Sequence, residues 1–339
     1  AVFKECDDAS NDGVYSFNTS SLESNLLQGQ TNKTITYFNS ANNPLQDANG
    51  LFVTSPIGAT FLTTSQTIKV RITNNSSATN NGIPCFDETT IQFIVDVKPN
   101  ANAVPTNLTT KCDDELDPAD QDGLFTFDTS NFEATILNGQ TGMNVTYTLQ
   151  DGTVLNSIAP TFTTGTQNVL VTITNPLNTT CASTVVIPFV VNPIPNIDLI
   201  DDELVCTNLP SFVVTINAGI NNGTPQSNYT YQWYLNGSIL SGVTTYSLNV
   251  NTAGVYTVEV TSNPQGCPIT RTITVVASNI ATIEDINIVD LSANNTVEII
   301  VSGNSIGNYI YSIDNLPFQS SNYFTNVDMG FHTVYVQDL

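Results

Sequence analysis

The sequence has few basic residues: seven Lys and Arg stand against 30 Asp and Glu, for a formal net charge of −23 over 339 residues. After Lys111 the only Lys or Arg is Arg271. A field of this sign repels phosphate backbones and anionic lipid surfaces, so it argues against nucleic acid or a membrane surface as partner. The shortage also predicts that ion pairs contribute little to the folding of residues 112–339.

Histidine occurs once, at His332, so Ser-His-Asp and Cys-His mechanisms have one place to assemble. Nucleophile-elbow, zinc-protease and P-loop patterns do not occur in the sequence. Paired glycosidase carboxylates need only spatial proximity, but repeated domains of this size are small for such an enzyme. We therefore interpret His332 as a surface residue of a strand and predict that the protein is not an enzyme.

Long apolar runs are absent as well. The longest, residues 185–191, contains Pro188 and is far shorter than the roughly 20 residues that a membrane helix needs, so no direct membrane insertion is expected. Asn and Thr supply about a quarter of the chain, a bias that favours strands joined by Asn and Gly turns. The composition therefore predicts an all-β protein without long helices.

Internal repetition is the strongest pattern in the chain. Cys6-Asp7-Asp8 followed by Asp12–Ser20 recurs as Cys112-Asp113-Asp114 followed by Asp122–Ser130. Further matches pair residues 27–30 with 137–140, 60–64 with 161–164 and 72–74 with 173–175. The sequence thus predicts two copies of one domain, the first segment (residues 1–100) and the second segment (residues 101–193), each with a second cysteine, Cys85 or Cys181.

Two further segments follow. The third (residues 194–278) carries Cys206 and Cys267, and its alternating runs predict strands at residues 212–216, 229–235, 246–250, 255–261 and 270–276. The fourth (residues 279–339) has such runs at residues 297–301, 309–313 and 332–336. Because it stops close after the last run, we expect it to be truncated and the chain to be a fragment of a longer protein.

Six cysteines fall two to a segment in the first three segments, without any Cys-x-x-Cys pair that would indicate zinc or redox chemistry. The simplest pairing is within segments: Cys6 with Cys85, Cys112 with Cys181, and Cys206 with Cys267. Disulfides of this kind imply an oxidising, extracellular compartment. The alternative is a set of buried thiols.

An acidic loop opens each of the first two segments. Between residues 113 and 122 the second loop holds Asp113, Asp114, Glu115, Asp117, Asp120 and Asp122, and the first loop holds Asp7, Asp8 and Asp12. Crowded carboxylates without nearby basic residues suit a hard cation, so these Asp residues are candidate Ca²⁺ ligands. The alternative is a solvated acidic loop, because neither spacing matches an EF-hand.

Aromatic clusters raise a second binding hypothesis, a carbohydrate platform. The candidates are Tyr229, Tyr231, Trp233 and Tyr234 in the third segment, and Tyr309, Tyr311, Tyr323 and Phe324 in the fourth. Strand alternation would turn most of these side chains inward, and Trp233 is better explained as a core residue.

Two stretches carry resemblances to known families. Thr252–Val258 resembles the tyrosine-corner strand of immunoglobulin-like domains, and Tyr231–Tyr234 resembles their strand with the core Trp. Val258 stands where those domains have their intersheet cysteine, so the disulfide is expected elsewhere, between the entry strand and the last hairpin. The resemblance implies tandem immunoglobulin-like β-sandwich domains in an elongated array.

In the fourth segment, Tyr309–Asn315, Phe318–Val327 and Gly330–Asp338 resemble the SprB-type repeats of gliding-motility adhesins. The array as a whole is similar to large proteins that Bacteroidetes export by type IX secretion. This resemblance implies a non-catalytic stalk or adhesin segment at the extracellular cell surface. Its expected partners are other domains of the same large protein, and surface glycans or other surface proteins. The alternative is a set of spacer or carbohydrate-binding modules of a secreted hydrolase.

Overall fold

The computed structural model of the chain describes residues 1–76, 84–209 and 211–339. Nearly all of its regular structure is β-strand, and the α-helices are short: α1 (Leu22–Leu27), α2 (Thr106–Thr109) and α3 (Phe132–Leu137). Within the described ranges no helix is long and apolar enough to cross a membrane. The predicted all-β class is confirmed.

The first segment is a sandwich of two sheets. Its strands are β1 (Val2–Cys6), β2 (Val14–Asn18), β3 (Lys33–Phe38), β4 (Thr60–Thr64), β5 (Gln66–Asn74) and β6 (Phe86–Asp96). One sheet has the order β1-β6-β5-β3, and the other pairs β2 with β4. Strand β1 runs parallel to β6. Alternation turns Ile91 and Phe93 of β6 into the core, each only 1% exposed.

The second segment repeats this architecture. Its strands are β7 (Thr110–Cys112), β8 (Phe125–Asp128), β9 (Asn144–Thr148), β10 (Val154–Leu155), β11 (Thr161–Thr164), β12 (Gln167–Asn175) and β13 (Asn178–Asn192). The larger sheet has the order β10-β9-β12-β13-β7, and β11 pairs with β8. Ile187 and Phe189 of β13 are buried as Ile91 and Phe93 are in β6.

The third segment has the same plan. Its strands are β14 (Ile200–Cys206), β15 (Val214–Asn217), β16 (Tyr229–Leu235), β17 (Ser238–Ile239), β18 (Ser247–Val250), β19 (Gly254–Ser262) and β20 (Pro268–Ser278). The sheets are β14-β20-β19-β16-β17 and β15-β18. The hydroxyl of Tyr256 donates to the carbonyl oxygen of Thr252 at 3.0 Å, and Trp233 is fully buried. The tandem immunoglobulin-like interpretation is confirmed, including its tyrosine corner.

The single Lys or Arg of residues 112–339 is buried in the third segment. Arg271 of β20 is 3% exposed. Its guanidinium contacts the Asp201 carboxylate and donates to the carbonyl oxygen of Asp198 at 2.7 Å. A charge that strand alternation turns inward needs such partners. Arg271 therefore forms a buried ion pair, and the small contribution of ion pairs to the folding of residues 112–339 stays a prediction.

The fourth segment is smaller. Its strands are β21 (Ile283–Val289), β22 (Thr296–Val301), β23 (Tyr309–Ile313), β24 (Tyr323–Thr325) and β25 (Val334–Asp338). One sheet has the order β21-β22-β24, and the other pairs β23 with β25. The core consists of Val297, Ile299, Ile313 and Phe324. His332 lies just before β25 instead of within a strand.

By internal contacts the chain divides into two compact units. One contains Ala1–Lys111 and Phe125–Val190, and the other contains Cys112–Leu124 and Val191–Leu339. The acidic loop of the second segment therefore belongs to the same unit as the third and fourth segments. The three boundaries between the four segments, drawn from the sequence, stay a prediction.

Candidate functional site

Two disulfides join cysteines of consecutive segments. Cys6 is bonded to Cys181, and Cys112 is bonded to Cys267, with Cα–Cα distances of 5.3 and 5.6 Å. The predicted pairing within segments, Cys6–Cys85, Cys112–Cys181 and Cys206–Cys267, is therefore wrong. Cys85 and Cys206 lie outside these two bridges.

The parallel pairing of the first and last strands explains the correction. Cys6 ends β1 opposite Asp96, the last residue of β6, whereas Cys85 comes directly before β6 begins. Eleven residues at about 3.3 Å each separate those two ends by about 35 Å, several times the span of a disulfide. The third segment has the same geometry, with Cys206 at the end of β14 and Cys267 directly before β20.

The first cysteine of each segment is held in one common way. The residue after it donates its backbone N–H to the carbonyl oxygen at the end of the last strand: Asp7 to Asp96 at 2.9 Å, Asp113 to Asn192 at 2.8 Å, and Thr207 to Ser278 at 2.8 Å. This bond fixes the cysteine at the end where the chain leaves the segment. A cysteine of the next segment can reach it there.

A buried carboxylate closes each acidic loop. Oδ2 of Asp7 accepts the N–H of Gly13 at 2.7 Å, and Oδ2 of Asp113 accepts the N–H of Gly123 at 2.8 Å. Both Asp side chains are 4% exposed. The two glycines have φ of +79° and +73°, a conformation that glycine adopts without strain. The repeated Asp and Gly therefore shape the loop.

The second loop also brings three carboxylates together. One oxygen each of Asp113, Glu115 and Asp122 lie within 4.8 Å of one another. Oε2 of Glu115 is buried and accepts no hydrogen bond from an N–H or O–H group of the described residues while both carboxylates are ionised. The hydrogen bond to Asp113, loss of water contact and the charges of Asp113 and Asp122 raise the pKa of Glu115 to about 7. The cluster lacks positive charge, which a hard divalent cation would supply.

The other candidate ligands do not join this cluster. Asp8, Asp12 and Asp117 accept backbone N–H bonds from residues two positions on, as turn-forming Asp side chains do. Asp114 and Asp120 are exposed. Over the described residues, the sole cluster of metal-ligating side chains is the one in the second loop. Glu115 was part of the predicted acidic run but not of the predicted ligand set.

The aromatic residues are mostly internal. Trp233 is 0% exposed, Tyr231 and Phe324 are each 7% exposed, and Tyr323 is 47% exposed. The indole N–H of Trp233 donates to the carbonyl oxygen of Thr245 at 2.8 Å, as expected of a core residue. These side chains form no continuous exposed platform within the described ranges.

His332 has a partner at each ring nitrogen. Nδ1 contacts the carboxylate of Asp314, and Nε2 lies 2.7 Å from the carbonyl oxygen of Asp328. The hydrogen bond to Asp314 raises the pKa of His332 and lowers that of Asp314. These contacts suit a loop-fixing role, and the absence of catalysis stays a prediction.

Solved structures with similar folds are multidomain immunoglobulin-like proteins. The four N-terminal Ig domains of Dscam1 isoform 6.44 are 10% identical, with a TM-score of 0.23 over 99% of this chain and 93% of that one. The titin I-band fragment I67–I69 is 10% identical, with a TM-score of 0.33, and the match covers 73% of this chain and 89% of that one. Extracellular domains 3–5 of Drosophila OTK are 10% identical, with a TM-score of 0.28, and the match covers 82% of this chain and 93% of that one.

No curated protein matches the chain. A family described as the Flavobacterium inter-domain disulphide bond domain matches residues 2–99 and again residues 107–195, together more than half of the chain. These ranges contain Cys6 and Cys181, which join the first two segments. The disulfides and the immunoglobulin-like fold indicate an extracellular or secreted linker. The chain belongs to the Flavobacterium inter-domain disulphide bond domain family.

Proposed function

We propose that the chain is a non-catalytic stalk or adhesin segment of a large cell-surface protein, in which it spaces and presents a binding region. The observation that carries the proposal is the pairing of each bridge across consecutive segments. A disulfide inside a domain protects that domain, whereas one between domains joins neighbours covalently. A connector under tension benefits from the second arrangement, because the covalent bond keeps neighbouring domains together.

The two disulfide loops overlap, and this limits how far the chain can extend. Cys112 lies inside the loop from Cys6 to Cys181, and Cys181 lies inside the loop from Cys112 to Cys267. The shortest covalent path from Ala1 to Leu339 crosses to Cys181, returns to Cys112 and crosses to Cys267. It contains about 150 residues, so at about 3.5 Å per residue it extends to about 500 Å, against about 1,200 Å for the reduced chain.

Single-molecule stretching from both termini tests this role. We expect the oxidised chain to stop extending near 500 Å and the chain in reductant to reach about 1,200 Å. A Cys6→Ser variant should reach about 650 Å without reductant, because its path runs along the chain to Cys112 before crossing. A Cys206→Ser variant is the matched control and should behave as the parent. Equal lengths with and without reductant would contradict the proposal.

We further propose Ca²⁺ as the ion for Asp113, Glu115 and Asp122, with water completing its coordination. The orphaned Glu115 oxygen and the shortage of positive charge support it. The ion would stiffen the loop that begins directly after the bridged Cys112.

Calorimetric titration of the whole chain with Ca²⁺ tests the ion site. We expect saturable binding that a Glu115→Gln substitution weakens at least tenfold, while Asp114→Asn, a change at the exposed neighbour, leaves it nearly unchanged. A chelator should lower the melting temperature of the parent and not that of Glu115→Gln. Absence of heat, or equal effects of the two substitutions, would remove calcium from the proposal.

The resemblance of the fourth segment to SprB-type repeats supports type IX secretion as the export route and gliding adhesion as the setting. Other domains of the same protein are the proposed neighbours, and surface glycans or surface proteins are the proposed ligands of the binding region. Glycan-array binding by the whole chain, compared with a Tyr323→Ala variant, would test whether this segment itself contacts sugar.

A further inference from the structure

A groove lies where the chain enters the third segment, and we call it the entry groove. Its volume is about 430 Å³, within the range of about 300–1,000 Å³ that is usual for small-ligand sites. Its lining comes from Gln121 of the second acidic loop and from residues 193–196, 222–229 and 262–265. All of these residues belong to the compact unit that contains Cys112–Leu124 and Val191–Leu339. The groove is therefore part of one compact unit.

The lining of the entry groove carries no charged side chain, although the net charge of the chain is −23. Half of its twelve residues have amide side chains: Gln121, Asn196, Asn222, Asn228, Asn263 and Gln265. The lining offers no carboxylate to a metal cation, and it offers no Lys or Arg to an anion. The ligand that suits this lining is therefore neutral and polar.

Most of these amides are open to a ligand. Four of the six side chains are exposed and make no hydrogen bond within the described residues: Asn196, Asn228, Asn263 and Gln265. The hydroxyl of Tyr229, which also lines the groove, makes none there either. An amide both donates and accepts hydrogen bonds, and so does a hydroxyl group. Several amides in one groove therefore suit a ligand with several hydroxyl groups.

The entry groove also has an apolar part. Ile194 is 7% exposed, Pro195 is buried and the ring of Tyr229 is half-buried. A sugar ring has apolar carbon faces and polar hydroxyl groups around its edge, so it matches a site that combines an aromatic ring with polar side chains. Tyr229 is one of the aromatic residues that the sequence marks as candidates for carbohydrate binding.

The stretches that line the groove are fixed to one another before a ligand binds. The N–H of Ile194 donates to Oε1 of Gln121 at 2.7 Å, and the N–H of Asn263 donates to the carbonyl oxygen of Asn228 at 2.8 Å. The Cys112–Cys267 bridge ties the start of the acidic loop to the chain just after residue 265. A site that is already ordered loses little conformational freedom on binding, which favours affinity.

We propose that the entry groove binds a neutral glycan. The hydroxyl groups of the glycan bond to the amides of Asn228, Asn263 and Gln265, and one sugar ring packs against Tyr229. The inference rests on the proposed function and deepens it: it gives the binding region a place within the chain and names neutral glycans, instead of surface proteins, as the ligand.

The probe is a printed array of oligosaccharides in two classes: neutral chains of hexose or N-acetylhexosamine, and acidic chains that carry uronic acid or sulfate groups. We expect the oxidised whole chain to bind neutral oligosaccharides and no acidic ones, because the field of a protein with a net charge of −23 repels anions and the groove offers them no basic partner. Calorimetric titration with the neutral oligosaccharide that binds most strongly then gives the dissociation constant of the parent.

A double variant locates the site. Asn228→Ala with Gln265→Ala removes two exposed amides that have no protein partner, so the melting temperature should stay that of the parent. The dissociation constant should rise about tenfold, because two hydrogen-bonding groups are lost. The matched control is Gln150→Ala with Gln337→Ala, which removes two exposed amides outside the groove and should bind as the parent does.

Three results would overturn the inference: no binding of any neutral oligosaccharide, a preference for acidic ones, or equal affinity of the two double variants. The stretching experiment decides the stalk role separately, since neither double variant changes a cysteine. An oxidised chain that stops near 500 Å and binds no glycan would remove the groove and keep the stalk. Glycan binding lost with Asn228 and Gln265, in a chain whose length does not respond to reductant, would do the reverse.

Discussion

At the scale of single residues, the two copies share a buried tyrosine–glutamate contact that sequence reasoning missed. The Tyr37 hydroxyl donates to Glu23 at 2.7 Å, and the Tyr147 hydroxyl donates to Glu133 at 3.3 Å. Burial, followed by the neighbouring glutamate, raises the pKa of both tyrosines far above the usual range. Each pair spans 14 residues, so nothing in local periodicity marks it.

The first copy uses its glutamate more fully, which gives a matched comparison. Glu23 also accepts the N–H of Ile57 at 2.7 Å and the hydroxyl of Ser55 at 3.0 Å. We expect Glu23→Ala to lower the free energy of unfolding of the first segment by about 2 kcal/mol, because a buried N–H loses its acceptor. Glu133→Ala should cost the second segment about 1 kcal/mol. Denaturant titration checks both, and equal losses would contradict the explanation.

His332 predicts a pH dependence of the fourth segment. Its pKa is raised in the folded state above the ordinary value of 6.5, chiefly by Asp314, so the pair stabilises the folded segment fully below that value. The stabilisation is lost as the pH rises through the folded-state pKa. We expect the melting temperature of this segment to fall as the pH rises above 6.5, and His332→Gln to reduce that slope. If the melting temperature of the parent and that of the variant fell equally with pH, the role assigned to the His332–Asp314 pair would be disproved.

At the scale of elements, the alternation of apolar and polar residues predicted strands correctly where the two faces of the strand differ in polarity. The predicted strands at residues 229–235 and 309–313 have the bounds of β16 and β23. Strand β14 was expected only as an entry strand without bounds, because three acidic residues, Asp201 to Glu203, interrupt its apolar pattern. Its backbone is fixed by parallel pairing with β20. Strand β21 was missed because its side chains are all exposed.

In the acidic loops, too, the sequence predicted one part correctly and left another to the structure. Repetition of Cys-Asp-Asp and Asp-Gly identified them correctly as equivalent loops, but their chemistry differs. In the first, Asp7 closes the loop on Gly13, and in the second Glu115 and Asp122 join Asp113 as well. The four extra residues between Asp113 and Gly123 allow this, since Gly13 follows Asp7 by six positions and Gly123 follows Asp113 by ten. Spacing alone did not reveal which oxygens converge.

At the scale of the whole molecule, the bridges couple the stability of neighbouring segments. When the second segment unfolds beside a folded first one, its chain stays tied at both its start and Cys181. Closing a loop of about 80 residues restricts the unfolded state by about 4 kcal/mol on the chain-entropy model. We expect the double variant Cys6→Ser, Cys181→Ser to lose up to this amount in the first two segments.

Amide exchange resolved by segment checks this prediction, because several cooperative units do not melt as one transition. The third segment, still bonded through Cys112 and Cys267, is the internal control and should keep its protection. Loss of protection spread evenly over the chain would contradict a coupling that acts between neighbours.

Strand-rich composition, two copies of one domain, an immunoglobulin-like third segment with its tyrosine corner, and an oxidising compartment all followed from the sequence alone. Alternation, turn residues and repetition display the strands and the two copies directly in a linear chain. The immunoglobulin-like fold was implied by the resemblance of Thr252–Val258 and Tyr231–Tyr234 to that family, and the compartment by the cysteines. The partners of the cysteines, the burial of Arg271 and the convergence of Glu115 on Asp113 were decided only by the tertiary structure. They depend on which strand ends meet. Parallel pairing of the first and last strands places Cys6 about 35 Å from Cys85, the next cysteine in the sequence. Cys6 lies instead within bonding distance of Cys181 in the following segment.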